Sequence, residues 1–177
     1  MKRVYLSGYR SFELGIFKES DAKIEVIKKV LKERLVSYLE DGLEWVILGG
    51  NLGVEQWGSE VVNTLKNEYP ELKVAVLLPF EEFGNSWNEK NQTALFEMKQ
   101  QADYVNTVSH QPYNTPQQLK NHTQFLLSHT DGSLLLYDEE HLGKTDYYYK
   151  DARKYQETNN YQLELITMYD LQNSVDF

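Results

Sequence analysis

The run Gly49-Gly50-Asn51-Leu52-Gly53-Val54-Glu55 gathers the residue types best suited to holding an anion. It follows the apolar run Trp45–Leu48 and precedes a helical stripe of Val54, Trp57, Val61 and Leu65. A turn from strand to helix needs residues that tolerate positive φ, and a backbone without Cβ lets an oxyanion come close. A helix starting near Val54 then offers unpaired N–H groups and the positive end of its dipole. This is not the dinucleotide fingerprint, because only Gly50-x-x-Gly53 matches its second half, and it follows the second strand. No Gly-Lys-Ser/Thr follows, so it is not a P-loop either. The competing reading is a tight turn that uses glycine for geometry alone.

Glu55 falls in the first turn of that helix, where the dipole favours a carboxylate by about 0.3–1 kcal/mol. Beside a phosphate it would repel the ligand, so it is expected to face another part of it. Ribose hydroxyls are one partner, as acidic residues serve in dinucleotide sites. In an enzyme it would be the general base. Arg10, just after Gly8, has the donor fork to clamp a phosphate, or it pairs with Glu13. Tyr9, Trp57, Phe80 and Trp87 offer stacking surfaces, although Trp57 and Trp87 also fall on helical stripes that suit core packing. Asn91 is the one polar residue on the stripe Trp87, Ala94, Leu95, Met98 and Ala102. Asp138 closes an apolar run, and with Glu139 and Glu140 it also reads as a solvated loop. No metal is expected: His122 and His129 share a helix face, but no carboxylate is spaced to complete a ligand set with them, His110 or His141. Ser7 lacks the Gly-x-Ser-x-Gly context of a nucleophile elbow.

The elements that must position these residues alternate. Strands are predicted at Val4–Ser7, Trp45–Leu48, Val74–Leu78, Tyr104–Val108, Ser133–Tyr137 and Leu163–Thr167. Helices lie between them: one carrying Ile24, Ile27, Leu31 and Leu35 and stopped by Asp41-Gly42, and the one that opens at Val54, ended by Tyr69-Pro70. A third runs from Trp87 through Asn91 to Ala102, a fourth starts at Thr115-Pro116-Gln117-Gln118 with Thr as its cap, and a fifth lies near Asp146–Glu157. Strands about 30 residues apart, each followed by a helix, predict a Rossmann-like, doubly wound three-layer α/β sandwich with a mostly parallel sheet of about six strands. With 177 residues and no linker, one domain spanning 1–177 is expected. In such sheets ligands bind beyond the carboxyl ends of the strands, where strand order reverses. That rule nominates Gly8-Tyr9-Arg10, Gly49–Gly53, Pro79-Phe80 and Asp138.

The chain has no cysteine, which excludes disulfides, thiolate nucleophiles and cysteine-ligated metals. Its apolar runs are far short of a membrane span, and the stretch after Met1-Lys2-Arg3 is too brief for a signal peptide. A soluble, cytoplasmic protein without a membrane partner is expected. The formal charge of −9 argues against nucleic acid, whose sequence-independent binding rests on neutralising phosphates.

The segments Gly8-Tyr9-Arg10-Ser11-Phe12-Glu13-Leu14-Gly15-Ile16-Phe17, Glu40-Asp41-Gly42-Leu43-Glu44-Trp45 and Gly53-Val54-Glu55-Gln56-Trp57 resemble the YpsA family of Gram-positive bacterial proteins, which has no assigned reaction. The likeness continues through Ala102-Asp103-Tyr104 and Leu135-Leu136-Tyr137-Asp138. That family is similar to the SLOG group, with the DprA DNA-processing proteins and the LOG nucleotide phosphoribohydrolases, thought to bind nucleotides or their derivatives. The resemblance implies pocket roles for Gly8, Gly50, Gly53 and Glu55, and then for Arg10, Trp57, Trp87 and Asn91. The hydrolases read Pro-Gly-Gly-x-Gly-Thr-x-x-Glu; here Leu48 precedes the glycines, two residues separate Gly50 from Gly53, and Val54 replaces the Thr. Their catalytic apparatus therefore does not transfer intact.

The expected function is binding of a nucleotide or nucleotide-derived, phosphate-bearing small molecule, such as an ADP-ribose-like ligand, in a sensor read by a protein partner. The alternatives are a hydrolase of an N-glycosidic or phosphate-ester bond, with Glu55 as its catalytic group, and an interaction scaffold with a vestigial pocket. No resident cofactor is identified.

Overall fold

Unbroken apolar runs, rather than alternating ones, make strands buried on both faces, as in a parallel sheet under two layers of helix. The computed structural model describes residues 1–175 and shows this pattern in the four inner strands of its sheet, while the two edge strands are partly exposed. The strands are β1 (Arg3–Gly8), β2 (Trp45–Leu48), β3 (Lys73–Leu78), β4 (Tyr104–Thr107), β5 (Gly132–Leu136) and β6 (Gln162–Ile166). The helices are α1 (Ala22–Glu40), α2 (Val54–Leu65), α3 (Glu89–Gln101), α4 (Gln117–Ser128), α5 (Thr145–Gln156) and α6 (Met168–Asn173). The sheet has the order β4-β3-β2-β1-β5-β6 and every pairing is parallel.

The chain steps from β1 outward to β4, then crosses back to β5 and on to β6. Because such crossovers are right-handed, the outward steps put α1, α2 and α3 on one face, and the returning steps put α4 and α5 on the other. The packing follows: α1 on α2, α2 on α3, and α4 on α5, with α6 returning to α1. Val4, Leu6, Val46, Leu48, Val76, Leu134 and Leu136 are completely buried between the layers. Gly58 lets α2 lie directly on Leu6, whose side chain occupies the space a Cβ there would need. No helix among the described residues is long and apolar enough to cross a membrane.

Several predicted boundaries shift for local reasons. Thr115 is not the cap of α4; instead the Gln118 side chain turns back and accepts the N–H groups of Asn114 and Thr115, at 2.6 and 3.0 Å. Trp87 stands before α3, which is capped by Asn88 through the N–H of Asn91. Helix α2 stops at Leu65 and unwinds through turns before Pro70. A 3-10 turn at Ser11–Leu14 and the short α6 were too brief to show as periodicity.

His122 of α4 is buried, and its Nε2–H donates to the Leu77 carbonyl at 2.6 Å, tying α4 to β3. Burial pushes its pKa down from 6.5 to about 4, against the carbonyl bond, which favours the cation. The native state thus holds a neutral ring, and its contribution is complete above 6.5 and lost as pH falls towards about 4. Urea unfolding of His122→Gln is expected to show a shallower loss of stability than wild type over that interval. Parallel profiles for the two proteins would contradict it.

Candidate functional site

The glycine turn is organised from beneath by Glu55. The residue is completely buried, and its Oε1 accepts the N–H of Gly49 at 2.6 Å and of Gly50 at 3.0 Å. Its Oε2 accepts the Ser7 hydroxyl at 2.8 Å, with the Asn51 amide at 3.3 Å and the Tyr5 hydroxyl at 3.5 Å. Burial pushes the carboxyl's pKa up. The Ser7 hydrogen bond, the nearby charge of Arg10 and the two glycine N–H groups pull the other way. The expectation that Glu55 would present its carboxylate to a ligand thus meets a different placement: Oε1 faces the protein's own turn, and Oε2 faces β1 and the Asn51 amide.

With Gly49 and Gly50 pinned inward, the next amides are left for something else. Among the described residues the N–H groups of Asn51, Leu52, Gly53, Glu55 and Gln56 have no partner, whereas that of Val54 donates to the Tyr9 carbonyl at 3.1 Å. Gly53 caps α2 at φ 86° and ψ −121°, and a Cβ there would lie 2.5 Å from the Tyr9 carbonyl oxygen and 2.8 Å from the Arg10 Cα. Glycine is required at this position by the protein's own backbone, before any ligand is considered. Gly50, at φ 101°, is similarly confined by Leu78 and Phe83.

Above this floor opens a cleft of about 830 Å³. One wall is the segment after β1, with Arg10, Phe12, Phe17 and Lys18; the other is the start of α3, with Trp87, Lys90 and Asn91; Asn51, Leu52, Gln56 and Trp57 lie at the base. Arg10, Lys18, Lys90 and Lys144 all border it, and none has an ion-pair partner among the described residues. The alternative pairing of Arg10 with Glu13 is not made. Glu13 instead accepts the backbone N–H groups of Arg10 and Lys144, each at 2.8 Å. Glu19 and Glu97 are the acids on the rim.

Of the predicted site residues, Arg10, Asn51, Trp57, Trp87 and Asn91 meet in this cleft, with Gly49, Gly50, Gly53 and Glu55 beneath it. Others lie apart. Strand order reverses between β1 and β5, but that crevice is filled by Tyr9. Its hydroxyl donates to the His141 carbonyl at 2.5 Å and accepts the Asp138 N–H at 2.8 Å, while its ring packs on Tyr137 and His141. Asp138 itself accepts the N–H groups of Glu140 and Met168. Gly8 lies against Leu136, whose carbonyl oxygen would be 2.6 Å from an added Cβ. Phe80 packs edge-on against Phe83 and at a tilt against Tyr113, beside the cleft rather than in it. Phe12, Phe17, Lys18, Gln56, Lys90 and Lys144 were not foreseen as site residues. Phe12, Phe17 and Gln56 lie in the segments that carry the family resemblance but were given no role there, the lysines carry no motif, and Lys144 arrives from a loop more than 130 residues away from Arg10 in sequence. No group of three metal-binding side chains occurs among the described residues.

Residues 4–171 match the model of the family described as the YspA SLOG family. The chain is similar to a UPF0398 protein of Enterococcus faecalis, with 58% identity covering 99% of this chain and 97% of the relative. Proteins of the same name from Latilactobacillus sakei and Ligilactobacillus salivarius are 51% and 48% identical, covering 98% and 96% of this chain and 93% and 92% of theirs.

The pinned turn makes distinct expectations for three variants. Glu55→Gln retains an oxygen for Gly49 and Gly50 and gains an N–H for Ser7, so its stability should stay within about 1 kcal/mol of wild type. Glu55→Ala strands two buried N–H groups, each costing about 1–3 kcal/mol, and should lose at least about 2 kcal/mol. Gly53→Ala should be destabilised without any ligand present. A carboxyl whose pKa is raised on folding supports the native state below its ordinary value and loses that support as pH rises through the folded value. Glu55→Gln should abolish that component of the pH profile. Denaturant unfolding across pH measures all of these, and equal losses for the Gln and Ala variants would contradict the pinning role.

Proposed function

The chain belongs to the YspA SLOG family, and on that premise we propose that it binds a nucleotide or nucleotide-derived, phosphate-bearing small molecule in the cleft above the N-terminus of α2. One observation carries this reading. In a chain of net charge −9, four cations without ion-pair partners converge on a single cleft whose floor holds unpartnered helix amides. The two rim acids, Glu19 and Glu97, balance only half of these four cations, and an anionic ligand relieves the remaining repulsion. The helix amides and dipole favour phosphate in particular. The aromatic walls suit a ligand that carries a ring as well as an anion.

The role we assign is binding rather than hydrolysis. A general base must come within hydrogen-bond reach of the proton it takes, and both oxygens of Glu55 are engaged beneath the floor, one by Gly49 and Gly50 and the other by Ser7 of β1. Occupancy of the cleft would couple the segment after β1 to the start of α3, the kind of change that a partner protein in the cytoplasm can read.

Thermal unfolding against a panel of nucleotides, ADP-ribose and dinucleotides tests this. A ligand at about a hundred times its Kd adds ~2.7 kcal/mol, which moves the transition of a domain this size by roughly 5–10 °C. Such a shift is expected for at least one nucleotide, weakened by added salt and lost in the Arg10→Gln, Lys90→Gln double variant. A panel at millimolar concentration that shifts nothing beyond the effect of free phosphate would overturn the reading.

A further inference from the structure

The two ends of the cleft differ in chemistry. The end over α2 has amides and Arg10 for an anion. The other end instead presents Trp87, just before α3, and Asn91 in the first turn of α3. The Trp87 ring is half-buried and held edge-on by Phe83 at 5.2 Å, which fixes its orientation without covering it from both sides. Its indole N–H has no partner among the described residues. Asn91 is half-buried, its backbone N–H is engaged by Asn88, and its side-chain carboxamide has no partner among the described residues. The carboxamide itself is not buried, so it stays open to the cleft and free to pair with a ligand in place of water.

Resting on the nucleotide reading above, we propose that Trp87 and Asn91 form a base-reading subsite for a purine that carries an amino group beside a ring nitrogen. The indole supplies the stacking face, and two-ring bases overlap it best. The carboxamide offers one donor and one acceptor side by side, the complement of adenine's amino group and neighbouring ring nitrogen. The phosphates then extend along the cleft floor to Arg10 and the α2 amides. Lys18, Lys90 and Lys144 border the same space, so the charge along the diphosphate is met on either side. Asn91 is in this scheme a specificity determinant, and its side chain is not needed for folding because it holds no other element.

Isothermal titration of wild type, Trp87→Phe and Asn91→Leu with three probes tests the assignment. The probes are ADP, the diphosphate of purine riboside (which lacks the amino group) and inorganic pyrophosphate. Wild type is expected to prefer ADP to purine riboside diphosphate by about fivefold or more, the worth of an ordinary hydrogen bond. Asn91→Leu should erase that preference while leaving pyrophosphate affinity unchanged. Trp87→Phe should weaken both nucleotides about threefold or more relative to pyrophosphate, since a smaller ring stacks less well. If ADP binds but Asn91→Leu leaves its advantage over purine riboside diphosphate intact, the subsite is overturned and the nucleotide reading stands. A wild-type protein that binds none of the three overturns both.

Discussion

Two adjacent backbone N–H groups, those of Gly49 and Gly50, point into the protein at the end of β2, away from any strand that could accept them. The carboxylate of Glu55 meets both, from a helix that the same turn initiates. This closed loop of seven residues, Gly49 to Glu55, is the constraint on which the rest of the site depends. It fixes where α2 begins, so it fixes which amides remain unpaired. It also spends a buried carboxylate that would otherwise repel an anion, since its charge is met by Ser7, the glycine amides and the field of Arg10. The neighbouring Gly53 then lets the segment after β1 lie directly on the start of the helix, 2.5 Å from where a side chain would begin. Cleft wall and cleft floor are thereby held in one register.

The second determinant is Tyr9. In a doubly wound sheet the reversal of strand order opens a natural crevice, here between β1 and β5. Tyr9 fills it with a completely buried ring and a hydroxyl bonded to both Asp138 and His141. The loop after β5 is drawn in by the same contacts, and this brings Lys144 to the cleft and sets its ammonium 5.7 Å from the centre of the Phe12 ring. Closing one crevice thus furnishes the other. The open space lies on the β2 side, above α2, where the unpaired amides are.

How much of this was legible in the sequence depends on the range of the signal. Apolar runs and helical stripes are local, and they located all six strands to within a residue or so. The glycine turn was equally plain, because positive φ and absent Cβ leave a mark on residue type. The direction of Glu55 was not legible: a carboxylate in the first turn of a helix reads the same whether it faces outward to a ligand or inward to its own turn. Arg10, Trp87 and Asn91 were recognised by type and placed together by the fold. Lys18, Lys90 and Lys144 look like any surface lysines until the segment after β1, the start of α3 and the loop after β5 converge. Tyr9 was expected to stack on a ligand, and it packs instead where that ligand's crevice would have been.

The central claim is a division of labour along one stretch of backbone: Gly49, Gly50 and Val54 serve the fold with their amides, and the unpaired amides of Asn51, Leu52, Gly53 and Gln56 serve the ligand. Residue-resolved amide hydrogen exchange, without and with saturating ADP, tests this directly. The account predicts that Gly49 and Gly50 are protected in both states, while Asn51, Leu52, Gly53 and Gln56 exchange quickly alone and become protected with the nucleotide. Fast exchange at Gly49 and Gly50 in the free protein, with protection appearing there on binding, would show that these glycines hold the ligand themselves and would contradict it.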